Sequence, residues 1–600
     1  MNIAVLLLIT APLFVLAYFW YGGFLARVLG TDDRRRTPAM EINDGVDYVP
    51  TKTPVIFAHH FSAIAGAGPI VGPTIALFYG YLPVWLWIVV GAVFFGAVHD
   101  FTALFISVRE RGRSMAEVAG QTLGRSGFAL FISFTIIMIV LVTSAFLGLT
   151  AKALTSLAPL SILGAVAGQG LVKTVLVDGV ECARIGGIAS TSTIFITLLS
   201  PLIGYFLFIR KANTTLMSVL AGLVAVASIL LGFAFPLTID FRLWMVILSL
   251  YTLLAAGVPV WAILQPRDLA NVQILYAGIV LLALGIVSCA VAGVTFTAPA
   301  LNLWPANNSP ALGFIWPVLF ITVACGAISG FHALVSGGTS AKQVEKESHT
   351  RAIGFGGMLL EGFLSVCVVS VVAAGLQFTD YVNLVFPAEI ARSNPILAFA
   401  LGAGNILNRG LGIPPEIGAI FGILLVEGFV ITTLDTAVRL NRYLFEELWG
   451  LIFKKVPRLL RAYWFNSFLS VALMLFLGYS NAYITIWPIF GTGNQLLAAL
   501  TLIAVSAWLM VRGKPAWFTV WPALFMIATT FASLLLLLFT KYLPAGNYPL
   551  VAADLLLLAL AFGMAAKGAQ LFIKLKRGAR FNAKTLEQQA QDKLGDELHI

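Results

Sequence analysis

Charged side chains are scarce in this sequence, which argues against a soluble globular protein. Asp, Glu, Lys and Arg make up 11% of its 600 residues, whereas hydrophobic residues make up 59%. Typical soluble domains carry roughly 25% charged residues. Apolar runs of about 20 residues, the length that crosses the hydrocarbon layer of a bilayer, recur along the whole chain. We therefore predict an all-α polytopic membrane protein that has the lipid bilayer as a partner.

Cysteine is scarce as well. The four cysteines, Cys182, Cys289, Cys325 and Cys367, are far apart and show no C-x-x-C spacing. Three of them lie in or beside apolar runs, where cysteine behaves as a small hydrophobic residue. This distribution disfavours both a disulfide framework and a zinc finger.

The motifs of several other protein classes are absent. The sequence contains no G-x-x-x-x-G-K-[ST], which disfavours an ATP-driven pump, and no H-E-x-x-H, which disfavours a membrane metalloprotease. The net charge of +10 lies in short loops between apolar runs, so nucleic acid is not an expected partner. We predict a transporter, expect no enzyme activity, and expect no cofactor.

The apolar runs predict about fifteen transmembrane helices. These are 3–27, 58–80, 83–108, 127–150, 188–209, 214–236, 242–264, 270–294, 312–334, 352–376, 412–437, 463–480, 486–510, 517–540 and 550–573. Loops rich in Lys and Arg, among which we count Arg267, alternate onto one side, and the positive-inside rule assigns that side to the cytoplasm. This assignment puts the N-terminus outside and the polar tail from Arg577 to Ile600 inside. Residues 156–187 are polar and rich in glycine, so we place them in an external loop.

Two of the apolar segments contain glycine and proline near their middles. Both residues release backbone N–H and C=O groups from the helix. At membrane depth, such groups survive only where they line a cavity, pack on protein or hold a ligand. Two breaks in corresponding halves of a chain indicate the binding site of a secondary transporter. The predicted substrate-binding residues are therefore Ser62, Gly66, Ala67, Gly68, Pro69, Gly257, Val258 and Pro259.

The two broken segments are the second and seventh predicted spans, so they run in opposite directions. This is the layout of a LeuT-like five-plus-five inverted-repeat core with two discontinuous helices. The alternative is that glycine and proline serve close helix packing. We favour the repeat, because the spacing and both Gly/Pro clusters agree. The predicted organisation is a peripheral helix at 1–30, a transport core at 31–440, C-terminal helices at 441–575 and a cytoplasmic polar tail at 576–600.

The break at Gly66–Pro69 should present free N–H groups on one half-helix and free carbonyls on the other. N–H groups at a helix N-terminus attract a carboxylate, whereas carbonyls attract a cation or an ammonium group. The break therefore predicts a site for a small anion or a zwitterion. Sodium stays open as a coupling ion, because hydroxyls such as Thr339 or Ser340 could complete an oxygen site.

Ionisable side chains inside apolar spans cost at least about 2.5–3.5 kcal/mol each on insertion scales, so each is a functional candidate. The candidates for proton coupling are His59, His60, His99, Asp100, His332, Glu361, Glu427 and Asp435. Two other interpretations stay open: structural hydrogen bonding between helices, and a divalent metal site with His60, His99 and Asp100 as the candidate ligands. We favour a functional role for the deeper residues Glu361 and Glu427.

In these motifs the chain resembles the carbon starvation protein A family of bacterial inner-membrane transporters. The matching runs are His59–Pro73, Val98–Phe101, Pro259–Trp261 with Pro266–Asp268, Ala324–Leu334, Gly356–Glu361, Thr432–Thr436 and Gly493–Leu497. They extend over most of the chain from about residue 45 to residue 500.

The resemblance implies an uptake permease made in response to carbon limitation. Members of the family are associated with peptide uptake and, in some cases, with proton-coupled uptake of pyruvate. We therefore expect a secondary active transporter of short peptides or pyruvate, driven by protons, in the bacterial inner membrane with a periplasmic N-terminus and a cytoplasmic C-terminus. The alternatives are sodium-coupled uptake of the same substrates, a metal-dependent membrane enzyme and a nutrient receptor. The oligomeric state stays open.

Overall fold

The structure is a computed structural model. It describes residues 1–45, 48–163, 172–177, 179–259, 261–307, 309, 312–389, 392–480 and 483–576. The predicted cytoplasmic tail from Arg577 to Ile600 lies outside the described residues.

The described chain is built almost entirely from helices, as predicted. The helices are α1 Val5–Leu29, α2 Pro38–Ile42, α3 Thr53–Ala65, α4 Gly68–Tyr79, α5 Tyr81–Arg109, α6 Met115–Leu154, α7 Leu160–Leu163, α8 Ile185–Ile209, α9 Thr214–Ala234, α10 Phe241–Gly257, α11 Leu264–Val291, α12 Leu303–Asn307, α13 Ile315–Thr322, α14 Phe331–Gly338, α15 Arg351–Gly375, α16 Phe378–Val385, α17 Pro395–Leu411, α18 Pro415–Ile452, α19 Arg458–Arg461, α20 Tyr463–Ser480, α21 Tyr483–Val511, α22 Trp517–Tyr542 and α23 Tyr548–Lys576. Among the described residues, 12 helices are long and apolar enough to cross a membrane, or 13 if the bent pair α3 and α4 is one span. The prediction of about fifteen spans is therefore not confirmed.

The first predicted break is present. Helix α3 ends at Ala65, α4 begins at Gly68, and the two helices are bent by 41°. Gly66 between them has a φ of +41°, which residues with a side chain rarely adopt. Pro69 lies in the first turn of α4, where a missing N–H removes no helical hydrogen bond. The sequence of this segment therefore dictates the break directly.

The second predicted break separates two helices in the structure. Helix α10 continues to Gly257, Val258 is extended, and α11 begins only at Leu264. The residue before a proline avoids the helical region, so Pro259 separates two helices instead of interrupting one. The second discontinuity lies in the predicted span 312–334, where α13, a 3-10 turn at Ala324–Gly326 and α14 follow one another. The five-helix spacing of the predicted repeat is therefore not confirmed.

The two interrupted segments cross each other at close range. A Cβ on Gly68 would lie 2.4 Å from the side chain of Cys325, and a Cβ on Gly72 would lie 2.5 Å from the carbonyl oxygen of Val323. Only glycine allows α4 to approach the chain around the 3-10 turn this closely. The glycines of the first break therefore serve close packing as well as the bend.

One buried helix and one small sheet lie outside the predicted spans. Helix α17 packs against α15 and α18, and its polar residues, such as Asn405 and Asn408, hide it from a search for apolar runs. In the predicted loop 156–187, strands β1 Ala158–Pro159, β2 Thr174–Val177 and β3 Val180–Ala183 form an antiparallel sheet in the order β1-β3-β2. Residues 164–171 and 178 of this loop lie outside the described residues.

Several basic loops meet at one end of the helix bundle. The Arg109 guanidinium donates to Glu347 at 2.7 Å, which joins the end of α5 to the loop after α14. Arg512 donates to Glu110 at 2.7 Å, and Lys514 donates to the carbonyl of Leu29 at 2.9 Å. The loops that the sequence placed together on the basic side are therefore in contact.

Candidate functional site

Helix α3 carries two adjacent histidines that face different neighbours. The Nδ1 atom of His59 lies 3.4 Å from Oδ2 of Asp268 on α11, whereas Nδ1 of His60 lies 2.7 Å from the Ser340 hydroxyl. Adjacent residues of a helix point in different directions. Helix α3 therefore separates two groups of buried polar side chains, which include most of the predicted ionisable candidates.

The first group, the histidine–carboxylate cluster, consists of His99, Asp100, His332 and Glu361. Asp100 accepts hydrogen bonds from Nδ1 of His99 and from Nδ1 of His332, both at 2.7 Å. Nε2 of His332 lies 3.3 Å from Oε2 of Glu361. All four side chains are fully buried. Helices α5, α14 and α15 thus bring together four of the predicted candidates.

Several polar atoms of this cluster lack a hydrogen-bond partner within the described protein. They are Nε2 of His99, Nε2 of His332 and both carboxylate oxygens of Glu361. A buried polar atom without a partner is costly, and in a native structure it calls for an explanation. The ligand atoms of His332, Glu361 and Cys325 lie within 4.8 Å of one another. Of the three metal candidates from the sequence, His99 and Asp100 bond to each other and His60 bonds to Ser340.

The second group, the arginine cluster, consists of Arg267, Tyr251, Asp268, Thr432 and Asp435. The Arg267 guanidinium donates to Asp435 and to the Tyr251 hydroxyl, which itself donates to Asp435 at 2.8 Å. It also donates to Thr432 at 3.3 Å, and Thr432 donates to Asp268 at 3.0 Å. The Arg267 side chain is 1% exposed. The cluster is a buried ion pair with a polar surround, formed by α10, α11 and α18.

The placement of Arg267 corrects the sequence analysis, which counted this residue among the basic loops. It lies within the first turn of α11 because that helix begins at Leu264, six residues earlier than the predicted span. Arg267 and Asp268 are adjacent charges in a chain with few charges, and this pattern could have indicated a buried polar site instead of a loop. The predicted candidate Asp435 is the partner that makes this burial tolerable.

A small cavity lies next to the arginine cluster. Its volume is about 10 Å³, roughly the space of one water molecule, and its lining residues are Ser62, Asn271, Ile274, Leu275, Leu424, Leu425, Gly428 and Phe429. Asn271 is one helical turn beyond Arg267 on α11, and Gly428 follows Glu427 on α18. Glu427 is 4% exposed and its Oε1 atom lacks a hydrogen-bond partner among the described residues. Ser62, a predicted substrate-binding residue on α3, thus lines this cavity.

Neighbouring side chains satisfy part of the first break. Thr433 donates to the carbonyl of Ala63 at 3.3 Å, and Ser365 donates to the carbonyl of Pro69 at 3.1 Å. Residues 66–69 are buried. The break therefore provides fewer free backbone groups than expected, and the packing alternative accounts for part of its composition.

The other predicted substrate segment lies elsewhere. Gly257 and Pro259 are exposed, and the carbonyl of Val258 accepts a hydrogen bond from Arg439 at 3.1 Å. Arg439 stands six residues after Thr433 on α18, which corresponds to about 9 Å along a helix axis. The structure does not bring residues 257–259 to the first break.

A family model and several curated relatives match this chain. The family model is described as carbon starvation protein CstA and matches residues 2–392 and 387–533. The peptide transporter CstA of Campylobacter jejuni is 32% identical over 587 residues, which cover 86% of this chain and 78% of the relative. The pyruvate/proton symporter BtsT of Escherichia coli is 32% identical over 612 residues, which cover 88% of this chain and 81% of the relative.

Solved structures show a weaker likeness. A manganese transporter mutant from Eremococcus coleocola has a TM-score of 0.45 at 12% identity and covers 89% of this chain and 99% of its own. MhsT in complex with L-phenylalanine has a TM-score of 0.44 at 12% identity and covers 86% of this chain and 99% of its own. TM-scores this low carry no argument about the fold or the site.

Proposed function

The chain belongs to the carbon starvation protein CstA family, and we propose that it imports a small carboxylate-bearing nutrient, pyruvate or a short peptide, together with protons. Its curated relatives are transporters, and the chain is a transporter rather than an enzyme. The relatives are named a peptide transporter and a pyruvate/proton symporter, so peptides and pyruvate are the two substrate classes to consider. The role during carbon limitation is part of the proposal and rests on the family alone.

The single observation that carries the proposal is the buried guanidinium of Arg267. A charged side chain inside a membrane is costly and marks a transport pathway by default. Arginine binds carboxylates through two parallel N–H groups, which a lysine cannot do. Asn271, one helical turn beyond Arg267 on α11, lines the small cavity together with Ser62. We assign to it the recognition of the substrate carboxylate.

The partner of Arg267 supplies the coupling to protons. When a substrate carboxylate takes the guanidinium, Asp435 loses its counter-charge inside the membrane. An unpaired buried carboxylate costs about 3–5 kcal/mol, so it takes up a proton instead. Substrate binding and proton binding are then linked, and one proton moves with each substrate. Sodium is not needed in this scheme.

Glu427 favours the peptide over pyruvate as substrate. A zwitterion presents an ammonium group as well as a carboxylate. Glu427 precedes the cavity residue Gly428 on α18, and its Oε1 atom lacks a hydrogen-bond partner among the described residues. A carboxylate at this place suits an ammonium group. Pyruvate has no ammonium group and would leave this carboxylate without a partner.

We further propose that an inverted-repeat core of the LeuT type moves during transport, with α3–α4 and α13–α14 as its discontinuous helices. The close crossing of the two interrupted segments supports this assignment of the second break. The proposal includes a periplasmic N-terminus and a cytoplasmic C-terminus in the bacterial inner membrane, in line with the basic loops at one end of the bundle.

The test is uptake into proteoliposomes that carry the full chain. Labelled pyruvate and a labelled dipeptide are offered separately, with an imposed inward proton gradient and no sodium. We expect concentrative uptake of one of them, which identifies the substrate class. Uptake that requires sodium would refute proton coupling, and the absence of uptake of both compounds by folded protein would refute the substrate assignment.

Glu427→Gln tests the carboxylate beside the cavity. We expect the variant to insert into the membrane normally but to lose accumulation of the dipeptide, because its neutral side chain no longer pairs with an ammonium group. The matched control is Asp554→Asn, a buried carboxylate on α23, which packs mainly against α6, α21 and α22. Normal accumulation by Glu427→Gln would remove this residue from the mechanism.

A further inference from the structure

The transport scheme makes no use of three ligand-bearing side chains that converge behind the first break. Cys325 lies in the 3-10 turn between α13 and α14, His332 lies on α14, and Glu361 lies on α15. Their ligand atoms, one from each residue, lie within 4.8 Å of one another. Cys325 is 4% exposed, and the other two side chains are fully buried. Three separate segments thus direct a thiol, an imidazole and a carboxylate to one point inside the protein.

The hydrogen bond between Asp100 and His332 fixes which imidazole nitrogen is free. A carboxylate only accepts hydrogen bonds, so Nδ1 of His332, at 2.7 Å from Asp100, carries the proton. The lone pair is then on Nε2, which faces the Glu361 carboxylate at 3.3 Å. This carboxylate–histidine arrangement is the one that orients a histidine ligand for a metal ion.

The contact between His332 and Glu361 is not a hydrogen bond. Nε2 and both Glu361 oxygens have no hydrogen-bond partner in the described protein, although Nε2 lies within 3.3 Å of Oε2. A proton shared between the two side chains would give a hydrogen bond, and the geometry does not provide one. A metal ion between two electron-pair donors needs no such alignment, because each donor points at the ion rather than at the other donor.

The surroundings also stabilise a metal-bound thiolate. Nδ2 of Asn494 on α21 donates to Sγ of Cys325 at 3.4 Å. The Asn494 side-chain oxygen accepts a hydrogen bond from the backbone of Phe331 at 2.9 Å, which fixes its orientation. On the other side, His99 donates to Asp100 at 2.7 Å and holds that carboxylate in place. Two of the three ligand side chains therefore have a hydrogen-bonding partner that orients them: Asn494 for Cys325 and Asp100 for His332.

We propose that Cys325, His332 and Glu361 bind one divalent cation of the zinc class. Zinc accepts sulfur, nitrogen and oxygen ligands together, and three protein ligands with a fourth position for water or another ligand are common. Calcium and magnesium require oxygen ligands, so a thiolate disfavours them. The thiolate and the Glu361 carboxylate neutralise the two positive charges of the ion, which lowers the cost of holding it at membrane depth.

The bound ion would tie the second interrupted segment to α15 and to the first break. Gly68 packs directly on Cys325, so the position of this ligand is fixed by the crossing of α4. The site lies on the His60 side of α3, whereas the arginine cluster lies on the His59 side. Metal binding and substrate coupling are therefore separable, and the metal proposal does not depend on the proposed function.

Metal content is the first test. The full-length protein is purified in detergent without chelator, incubated with zinc, freed of unbound metal, and analysed by inductively coupled plasma mass spectrometry. We expect about one zinc per chain. Cys325→Ser and Glu361→Gln should each lose bound zinc at least tenfold, whereas the matched control Cys367→Ser, a fully buried cysteine on α15, should retain it. Wild-type protein that holds no zinc would overturn the proposal.

Cobalt gives a second measurement, whose first readout is taken on the folded wild-type protein itself. Wild-type protein loaded with Co²⁺ should show a thiolate-to-cobalt charge-transfer band, and Cys367→Ser should show it too. Asp100→Asn should weaken cobalt affinity about 10–100-fold, because Asp100 orients His332 without touching the ion. Absence of the band in folded wild-type protein, or unchanged affinity in both Asp100→Asn and Glu361→Gln, would contradict the site.

Discussion

At the scale of single residues, the central feature is the buried ion pair of Arg267 and Asp435. Both side chains are buried, and the pair is completed by the hydroxyls of Tyr251 and Thr432. A buried ion pair adds little stability compared with apolar residues, but breaking it from one side strands a charge. The pair is therefore explained better by what it binds and releases than by its contribution to folding.

Arg267→Met should destabilise the protein by about 3–5 kcal/mol, because Asp435 loses its counter-charge. The double variant Arg267→Met/Asp435→Asn should recover most of this loss, since neither charge then stays alone. Thermal unfolding in detergent measures both variants against wild type. A double variant that is less stable than Arg267→Met would contradict a direct pairing of the two residues.

The sequence predicted part of this site. Composition and apolar runs indicate which histidines and carboxylates lie inside spans, and all eight candidates are largely buried in α3, α5, α14, α15 and α18. The pairing of Arg267 with Asp435 was missed, because the two residues are 168 positions apart and belong to helices whose contact follows from packing. Cys325 was not predicted as a ligand for a similar reason. A single cysteine in an apolar run indicates only a small hydrophobic residue until its neighbours in space are known.

At the scale of helices, the two interrupted segments form the centre of the structure. Gly72 of α4 faces the backbone carbonyls of Thr322 and Val323, so the two segments touch backbone to backbone. Small residues allow such a close approach of two backbones. Glycine and proline also end helices at ordinary turns, and residues 257–259 accordingly separate α10 from α11.

Gly72→Ala should disturb this crossing. The new Cβ would lie 2.5–2.6 Å from two backbone oxygens, and a forced fit of this kind costs about 1–3 kcal/mol. We expect a lower melting temperature and reduced uptake. Gly450→Ala is the control, since no atom of the described residues lies within 4 Å of its added Cβ. Equal stability of the two variants would contradict the close crossing.

At the scale of the whole molecule, positively charged side chains are concentrated at one end of the helix bundle. The loops after α1, α5, α14 and α21 bring arginines and lysines together at one end, through pairs such as Arg109 with Glu347. The bundle itself and its basic end could be predicted from apolar length and loop charge. The number of spans could not, because broken and short helices fall below any threshold of length and hydropathy.

Orientation in the membrane follows from this distribution. The described native cysteines are buried, so an introduced surface cysteine can be labelled selectively. An impermeant maleimide added to intact cells should label Leu301→Cys, an exposed position at the opposite end, and should leave Arg111→Cys unlabelled until the membrane is opened. Labelling of Arg111→Cys in intact cells would place the basic end outside.

The coupling of substrate to Asp435 is tested most directly by proton movement. Proteoliposomes with a trapped pH indicator and no imposed gradient are given pyruvate or a dipeptide outside, with protein-free vesicles as the reference. Wild-type protein should acidify the interior as substrate enters, at about one proton per substrate, because the displaced Asp435 must be protonated. Asp435→Asn should still carry substrate down its gradient but without acidification. Acidification by Asp435→Asn equal to that of wild type would contradict the account.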